Sequence, residues 1–159
     1  MLTDMALVKG VVALVQSSII AMAVGLSLVA FATGTPEMRE DLLVGRASVV
    51  DGDTLEIRGV RVRLWGVDAV ESSQTCLDAA ARPWPCGRRA AFALADFLGQ
   101  RTLRCTRRTT DRYGRTVAVC HVGGVEVNRW LVEQGWALAY VKYGGSVYLP
   151  AQRQAQAER

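Results

Sequence analysis

The stretch "ASVVDGDTLEIRGVRVRLWGVDAVES", residues 47–72, combines the alternation of β-strands with an unusual density of charge. "ASVV" and "TLEIR" are short apolar runs separated by the turn signal "DGD", which predicts a hairpin. After Gly59, "VRVRLWGV" alternates apolar residues with arginines, as expected for a third strand that has one buried face. The residues of this strand predicted to face a core are Val60, Val62 and Leu64.

Acidic side chains gather at one end of these predicted strands. Asp51 and Asp53 flank the turn glycine before the second strand, and Asp68 and Glu71 follow the third strand. Because the two strands are antiparallel neighbours, we expect the four carboxylates to lie close together. Carboxylates this close raise one another's pKa, and a hard divalent cation with oxygen ligands would relieve the conflict. A simpler interpretation is that Asp51 and Asp53 only form the turn.

Arginines accompany these acids. Arg63 lies on the polar face of the third strand, and six further arginines occur within residues 101–115, where Asp111 is the single acid. Guanidinium groups match phosphate oxygens in geometry and charge. Beside a cation they can stabilise charge on a phosphodiester while a spare carboxylate removes a proton from water. The pattern therefore predicts phosphodiester chemistry, with a solvated charged surface as the alternative.

The rest of the chain continues a mixed pattern of strands and helices. Apolar residues at helical spacing predict a helix over residues 86–100, and "RTLRC" and "TVAVC" predict two strands joined at "DRYGR". "VNRWLVEQGWA" and "LPAQRQAQAER" predict two further helices. A small sheet must protect its edges, so we expect an α+β fold, a five-stranded OB-type β-barrel with three helices.

An uncharged and mostly apolar run, residues 10–36, precedes this domain. Ala30-Phe31-Ala32 has the pattern of a signal-peptide cleavage site, whereas residues 11–32 are also long enough to anchor the chain in a membrane. Both interpretations stay open, and both move the domain out of the cytoplasm, to the periplasm, the exterior or the outer face of a membrane. The predicted parts are a signal peptide or anchor at 1–32, a linker at 33–44 and the folded domain at 45–159.

All four cysteines follow the apolar run, which favours an oxidising compartment and two disulfides. The sequence alone allows three pairings. If "DRYGR" closes a hairpin, Cys105 and Cys120 lie opposite each other, within reach of a disulfide, and Cys76 pairs with Cys86 around a short loop. A zinc site is the alternative, although the chain contains no C-x-x-C motif.

The motifs "VVDGDTLEI", "RVRLWGVDAVES" and "DRYGR", in this order, resemble those of the thermonuclease, or staphylococcal nuclease-like, family. The resemblance extends over about Ala47–Tyr143 and includes the helix "VNRWLVEQG". It implies the OB-type barrel with three helices. It also implies calcium-dependent hydrolysis of DNA and RNA, preferably single-stranded or loosened, that leaves 3′-phosphate ends.

The resemblance also implies roles for individual residues. The implied calcium ligands are Asp53, Asp68 and the backbone carbonyl of Ala69. The implied catalytic residues are Arg63 and Arg115, which grip the phosphate, and Glu71, the general base for water. The implied substrate-binding residues are Arg112, Tyr113 and Tyr140.

One position departs from the family pattern, since this chain has "DAVE" where the family has D-A-P-E. Proline would restrict the backbone before Glu71, so Val70 is expected to lower activity or metal affinity. The competing hypothesis is a non-catalytic OB-type module that binds nucleic acid or a protein. Retention of the charged residues Asp53, Asp68, Glu71, Arg63 and Arg115 favours the nuclease. The net charge of +4 permits a polyanionic substrate, and no obligate protein partner is evident.

Overall fold

The computed structural model describes residues 42–158. The strands are β1 (Leu42–Gly45), β2 (Ala47–Asp51), β3 (Thr54–Ile57), β4 (Val60–Leu64), β5 (Val67–Ala69), β6 (Cys76–Leu77), β7 (Pro83–Trp84), β8 (Leu103–Thr110), β9 (Thr116–Val122), β10 (Val125–Glu126) and β11 (Ala137–Ala139). The helices are α1 (Cys86–Leu98), α2 (Val127–Glu133), α3 (Val141–Gly144) and α4 (Leu149–Ala157).

The predicted signal peptide or membrane anchor lies outside the described residues. No helix within residues 42–158 combines the length and the hydropathy needed to cross a membrane. Whether residues 11–32 are cleaved or stay in a membrane therefore remains a prediction.

The main sheet has the strand order β1-β8-β9-β4-β3-β2, and β10 is added beside β9. Its strands pair antiparallel except β4 and β9, which run parallel. The sheet curls into a half-barrel, so that β1 approaches β3 across the curl. Two small sheets, β5–β11 and β6–β7, stand apart from it. The predicted α+β, OB-type fold is confirmed.

The core fills the inside of the curled sheet and is closed by the helices. The β3 and β4 side chains in it are Leu55, Ile57, Val62 and Leu64. The α1 and α2 side chains in it are Leu94, Leu98, Leu131 and Val132. The prediction was wrong for Val60, which is 39% exposed. Val60 is the first residue of β4, directly after the turn, and it is only partly covered although its partner Ile57 is fully buried.

Several short elements differ from the sequence prediction. Residues 42–44, assigned to a linker, belong to β1, which pairs with β8. The predicted third strand is divided, because β4 ends at Leu64 and a turn separates it from β5. Within the described part of the chain there are four helices, since the four-residue α3 adds to the three predicted ones. These pieces are too short to show periodicity, and tertiary pairing determines them.

Both predicted disulfides are present. Cys105 and Cys120 face each other across β8 and β9, with their Cα atoms 4.0 Å apart, and both are fully buried. Cys76 and Cys86 join β6 to the start of α1, with Cα atoms 5.6 Å apart. All four cysteines therefore belong to two disulfides, and the zinc alternative is wrong.

The buried disulfide is expected to be a main source of stability. Replacing Cys105 and Cys120 together by alanine should lower the free energy of unfolding by ~2–4 kcal/mol, because the unfolded chain regains the freedom of the closed loop. Urea denaturation followed by circular dichroism measures this change. An unchanged denaturation midpoint in the double variant would contradict the prediction.

Candidate active site

The guanidinium of Arg63 joins two aspartates at the end of β4. Thr54 and Arg63 are directly paired between β3 and β4, which brings the arginine beside Asp53. Arg63 Nη1 donates a hydrogen bond to Asp53 Oδ1 at 3.0 Å, and Nη2 donates one to Asp68 Oδ1 at 2.7 Å. One cation thus bridges two carboxylates, offsets one of their two negative charges and fixes their separation.

Asp53 is the buried member of this group. It is only 3% exposed, and it also accepts hydrogen bonds from Thr54 Oγ1 and from the backbone amide of Ala69, both at 3.1 Å. Burial raises the pKa of Asp53 above its ordinary value, and the charge of Arg63 and the hydrogen bond from the Ala69 amide only partly oppose this rise. The contacts hold the carboxylate in one orientation and support its ionised form.

The strand pair β5–β11 positions the residues that follow Arg63. Asp68 lies opposite Leu138, and Ala69 lies opposite Ala137. Gly52 packs so closely on this strand that an added Cβ would lie 2.8 Å from the Cβ of Ala69. The central residue of the "DGD" turn therefore has to be glycine for the turn to approach Ala69.

The carboxyl groups of Glu71 and Asp51 shift each other's pKa in opposite directions. The pKa of Glu71 is raised to about 7 by its hydrogen bond to Asp51, next by the negative charge of Asp51, and then by burial and by Asp53. Burial alone would raise the pKa of Asp51, but hydrogen bonds from Glu71, Ser72 and Gly52 lower it overall. Of these two adjacent carboxyl groups, Glu71 therefore holds its proton to higher pH than Asp51 does.

The loop that follows Glu71 is held against α1. Gln74 donates its backbone amide to the carbonyl of Glu71 at 2.8 Å, and Gly87 donates to the carbonyl of Gln74 at 3.2 Å. A Cβ at position 87 would overlap the Glu71 carbonyl, so only glycine allows this approach. The Cys76–Cys86 disulfide closes the same loop covalently. The backbone carrying Glu71 is thereby fixed to the start of a helix.

The turn at residues 111–115 forms a second group of predicted site residues. Asp111 Oδ2 accepts a hydrogen bond from Arg115 Nε at 2.7 Å, and Asp111 Oδ1 accepts from the backbone amides of Tyr113 and Arg115. Arg112 donates to the hydroxyl of Tyr113 at 2.6 Å. The guanidinium of Arg115 also lies 5.4 Å from the centre of the Tyr113 ring. Arg115 is therefore oriented by Asp111 and Tyr113 instead of by the carboxylates around Arg63.

Tyr140 occupies a third position, at the end of β11. Its backbone amide donates to the carbonyl of Gly66 at 2.8 Å, and its ring meets that of Tyr143 edge to face at 5.0 Å.

The structure thus groups the predicted residues unequally. One cluster contains Asp53, Arg63, Asp68, Ala69 and Glu71, while Arg112, Tyr113 and Arg115 form the turn and Tyr140 joins an aromatic pair.

The sequence analysis placed Asp51 among the four clustered carboxylates, with a simple turn as the alternative, but it gave Asp51 no role in the site. It did not identify Ser72. Ser72 Oγ donates to Asp51 Oδ1 at 2.8 Å across a separation of 21 residues, so no local pattern reveals the contact. The signal that could have found Ser72 is its neighbour Glu71, because the strand register brings Glu71 close to the "DGD" turn.

The donor groups fit a hard cation in chemistry but are not arranged as a side-chain cage. Within residues 42–158 no three His, Cys, Asp or Glu side chains are placed to hold a metal ion together. The predicted ligands are instead two carboxylates, Asp53 and Asp68, and the carbonyl of Ala69. Oxygen donors of this type suit Ca²⁺. Glu71 also senses the negative charges of Asp51 and Asp53, which shows an excess of negative charge around Arg63 that a cation would offset.

This geometry belongs to a known class of protein. The profile of the family described as "Staphylococcal nuclease homologue" matches residues 61–159, more than half of the chain. The chain is a member of the staphylococcal nuclease family, and the family resemblance seen in the sequence is confirmed.

Curated relatives extend this finding. Over 116 residues the chain is 45% identical to the succinoglycan biosynthesis protein ExoI of Rhizobium meliloti, covering 72% of this chain and 61% of the relative. It is 35% identical to an uncharacterized endonuclease of Haemophilus influenzae, covering 69% and 60%. It is 34% identical to a micrococcal nuclease of Shigella flexneri over 109 residues, covering 60% and 57%. The chain thus spans about three fifths of the length of these three relatives.

The raised pKa of Glu71 can be tested in calcium-free protein. Following the Glu71 carboxyl by NMR, we expect a midpoint near pH 7, with the proton retained below that pH and released above it. Asp51→Asn removes the two largest contributions, so the midpoint should fall toward the ordinary value of glutamate. Glu133→Gln, on the exposed side of α2, is the control and should leave the midpoint in place. Equal midpoints in the parent and Asp51→Asn proteins would refute the pairing.

Proposed function

We propose that this chain is a hydrolase that cuts phosphodiester bonds of DNA and RNA with water. The observation that carries the proposal is the arrangement of Asp53, Arg63 and Asp68 beside Glu71, a carboxyl group whose pKa is about 7. A base that is half ionised near neutrality is suited to removing a proton from water. Membership of the staphylococcal nuclease family supports the same reaction.

The two proposed phosphate-binding arginines keep donors available for substrate. Arg63 uses one N–H on each of two nitrogens for Asp53 and Asp68, and Arg115 uses Nε for Asp111. A guanidinium has five N–H donors, so each side chain retains groups that can contact phosphoryl oxygens. Because the aspartates fix both guanidinium planes in advance, little reorganisation is needed when charge develops on the phosphate.

The proposed chemistry is direct attack by water. Glu71 takes one proton as the water oxygen forms a bond to phosphorus, and the bond from phosphorus to the 5′-oxygen breaks. The departing 5′-oxygen gains a proton from solvent, and the phosphate stays on the 3′ side. Arg63 and Arg115 stabilise the additional negative charge on the phosphoryl oxygens.

Asp53, Asp68 and the carbonyl of Ala69 are the groups that would hold Ca²⁺. When bound, the ion supplies positive charge that stabilises the phosphoryl oxygens. The protein's own contribution is to hold Asp53 in one orientation through Thr54 and Ala69. Calcium dependence is thus part of the proposal and is open to direct test.

Arg112, Tyr113 and Tyr140 are proposed to contact the substrate strand. Arg112 and Tyr113 are exposed and already bonded to each other, which suits contact with a phosphate. The proposed catalytic groups address the backbone, so base specificity at the cut itself should be slight. A single or loosened strand should be preferred, because it can bend into a site on a curved sheet.

The proposed location is outside the cytoplasm. Two disulfides support an oxidising compartment, and residues 11–32 are proposed to act as a signal peptide or an anchor. Mass spectrometry of the exported product distinguishes the two, since cleavage after Ala32 leaves Thr33 at the N-terminus.

The central test is digestion of single-stranded DNA with calcium, with magnesium and with chelator. Cutting is expected with calcium and not with chelator. Glu71→Gln should lower kcat by ~10²–10⁴-fold, the usual contribution of a general base. Glu133→Gln, an exposed change away from the site, should cut at the parent rate. A Glu71→Gln protein as active as the parent would rule out this mechanism, and a parent inactive with calcium would leave the non-catalytic binding module as the function.

The departure at Val70 gives a second test. Proline there would stiffen the backbone before Glu71, and we expect Val70→Pro to tighten calcium binding and to raise the free energy of unfolding by ~0.4–1 kcal/mol. Isothermal titration with calcium and urea denaturation measure the two effects. Weaker calcium binding in the variant would show that this loop needs the freedom that valine allows.

A further inference from the structure

A groove with a volume of about 460 Å³ lies along α1. The residues lining it are Trp84, Arg89, Phe92, Ala93, Asp96 and Trp136. Three of the six are aromatic, one is cationic and one is anionic. This composition differs from that of the carboxylate cluster around Arg63, and no residue is common to the two.

Phe92 is not part of the hydrophobic core, whereas Trp136 is partly buried and packs against it. The buried face of α1 is formed by Ala90, Leu94 and Leu98. Phe92 is 60% exposed, on a second stripe of the helix that runs from residue 89 to residue 96 at spacings of three and four. Exposure of a phenylalanine beside two tryptophans leaves apolar surface in contact with water, which marks a candidate binding surface.

Two parts of the chain that line the groove also contact segments of the proposed active site. At the start of α1, Gly87 packs on the backbone of Glu71 so tightly that a Cβ would overlap its carbonyl oxygen. On the other side of the groove, Trp136 directly precedes Ala137, which pairs with Ala69. Helix α1 and the segment around Trp136 therefore connect the groove to the loop and the strand of the proposed site.

The charged residues of the groove are available for a ligand. Arg89 and Asp96 form no ion pair with each other or with any other residue of the described range 42–158. Arg89, near the start of the helix, can contact a phosphate. Asp96, two turns further along, can accept a hydrogen bond from an exocyclic amino group of a base.

We propose that this groove binds unpaired bases of the strand being cut, next to the scissile phosphodiester. The proposal rests on nucleic acid being the substrate, as in the proposed function. Base faces stack on aromatic side chains irrespective of sequence, and a cationic group beside the rings holds the backbone. A duplex keeps its base faces stacked inside the helix, so the groove favours single strands.

The test measures binding without turnover. Fluorescence anisotropy with a labelled oligothymidylate, in chelator, is applied to the full chain and its variants. Phe92→Ala should weaken binding about tenfold, as expected for the loss of one base stack. The matched control is Leu77→Ala, which removes a 67% exposed apolar side chain outside the groove and should match the parent.

An abasic oligomer of equal length and charge separates stacking from charge. It should bind the parent and Phe92→Ala proteins equally, whereas Arg89→Gln should weaken binding of both oligomers. Circular dichroism establishes that each variant is folded. The proposal would be overturned if Phe92→Ala bound oligothymidylate as tightly as Leu77→Ala does. It would also be overturned if Phe92→Ala lost as much affinity for the abasic oligomer as for oligothymidylate. Absence of cleavage with calcium would overturn the proposed function, but it would not change the binding measured in chelator.

Discussion

The guanidinium of Arg63 between Asp53 and Asp68 is the interaction on which the site depends. Asp53 is buried and Asp68 is exposed, and without a shared cation two such carboxylates would repel each other. The bridge forms because β3 and β4 pair Thr54 with Arg63. The same register that builds the sheet therefore sets the charge balance of the proposed catalytic centre.

Around this bridge, the neighbours of each charged group determine its pKa or its orientation. Hydrogen bonds from Glu71, Ser72 and Gly52 lower the pKa of Asp51. The hydrogen bond to Asp51, and next its negative charge, raise the pKa of Glu71 to about 7. Asp111 orients Arg115 in the same manner that Asp53 orients Arg63. Chemically identical side chains thus take separate roles, as ligand, orienting group or base, according to burial and partner.

Much of this arrangement could be predicted from the sequence, because it follows from local patterns. Alternation located β3 and β4, and symmetry about "DRYGR" gave the Cys105–Cys120 pair that the structure confirms. Contacts across long separations could not be predicted. The Ser72–Asp51 hydrogen bond and the close approach of Gly87 to Glu71 depend on tertiary packing, and Val60 was misplaced because alternation does not show where a core ends.

The parallel pairing of β4 with β9 has a consequence for how the proposed active site is assembled. Arg63 lies on β4 and Arg115 directly precedes β9, and the chain between them contains the whole of α1 and β8. Neighbouring strands so far apart in sequence meet late, after the entropy of closing a long loop has been overcome. Either hairpin alone carries only one of the two arginines. A partly folded chain therefore lacks the complete proposed site, which is assembled together with closure of the sheet.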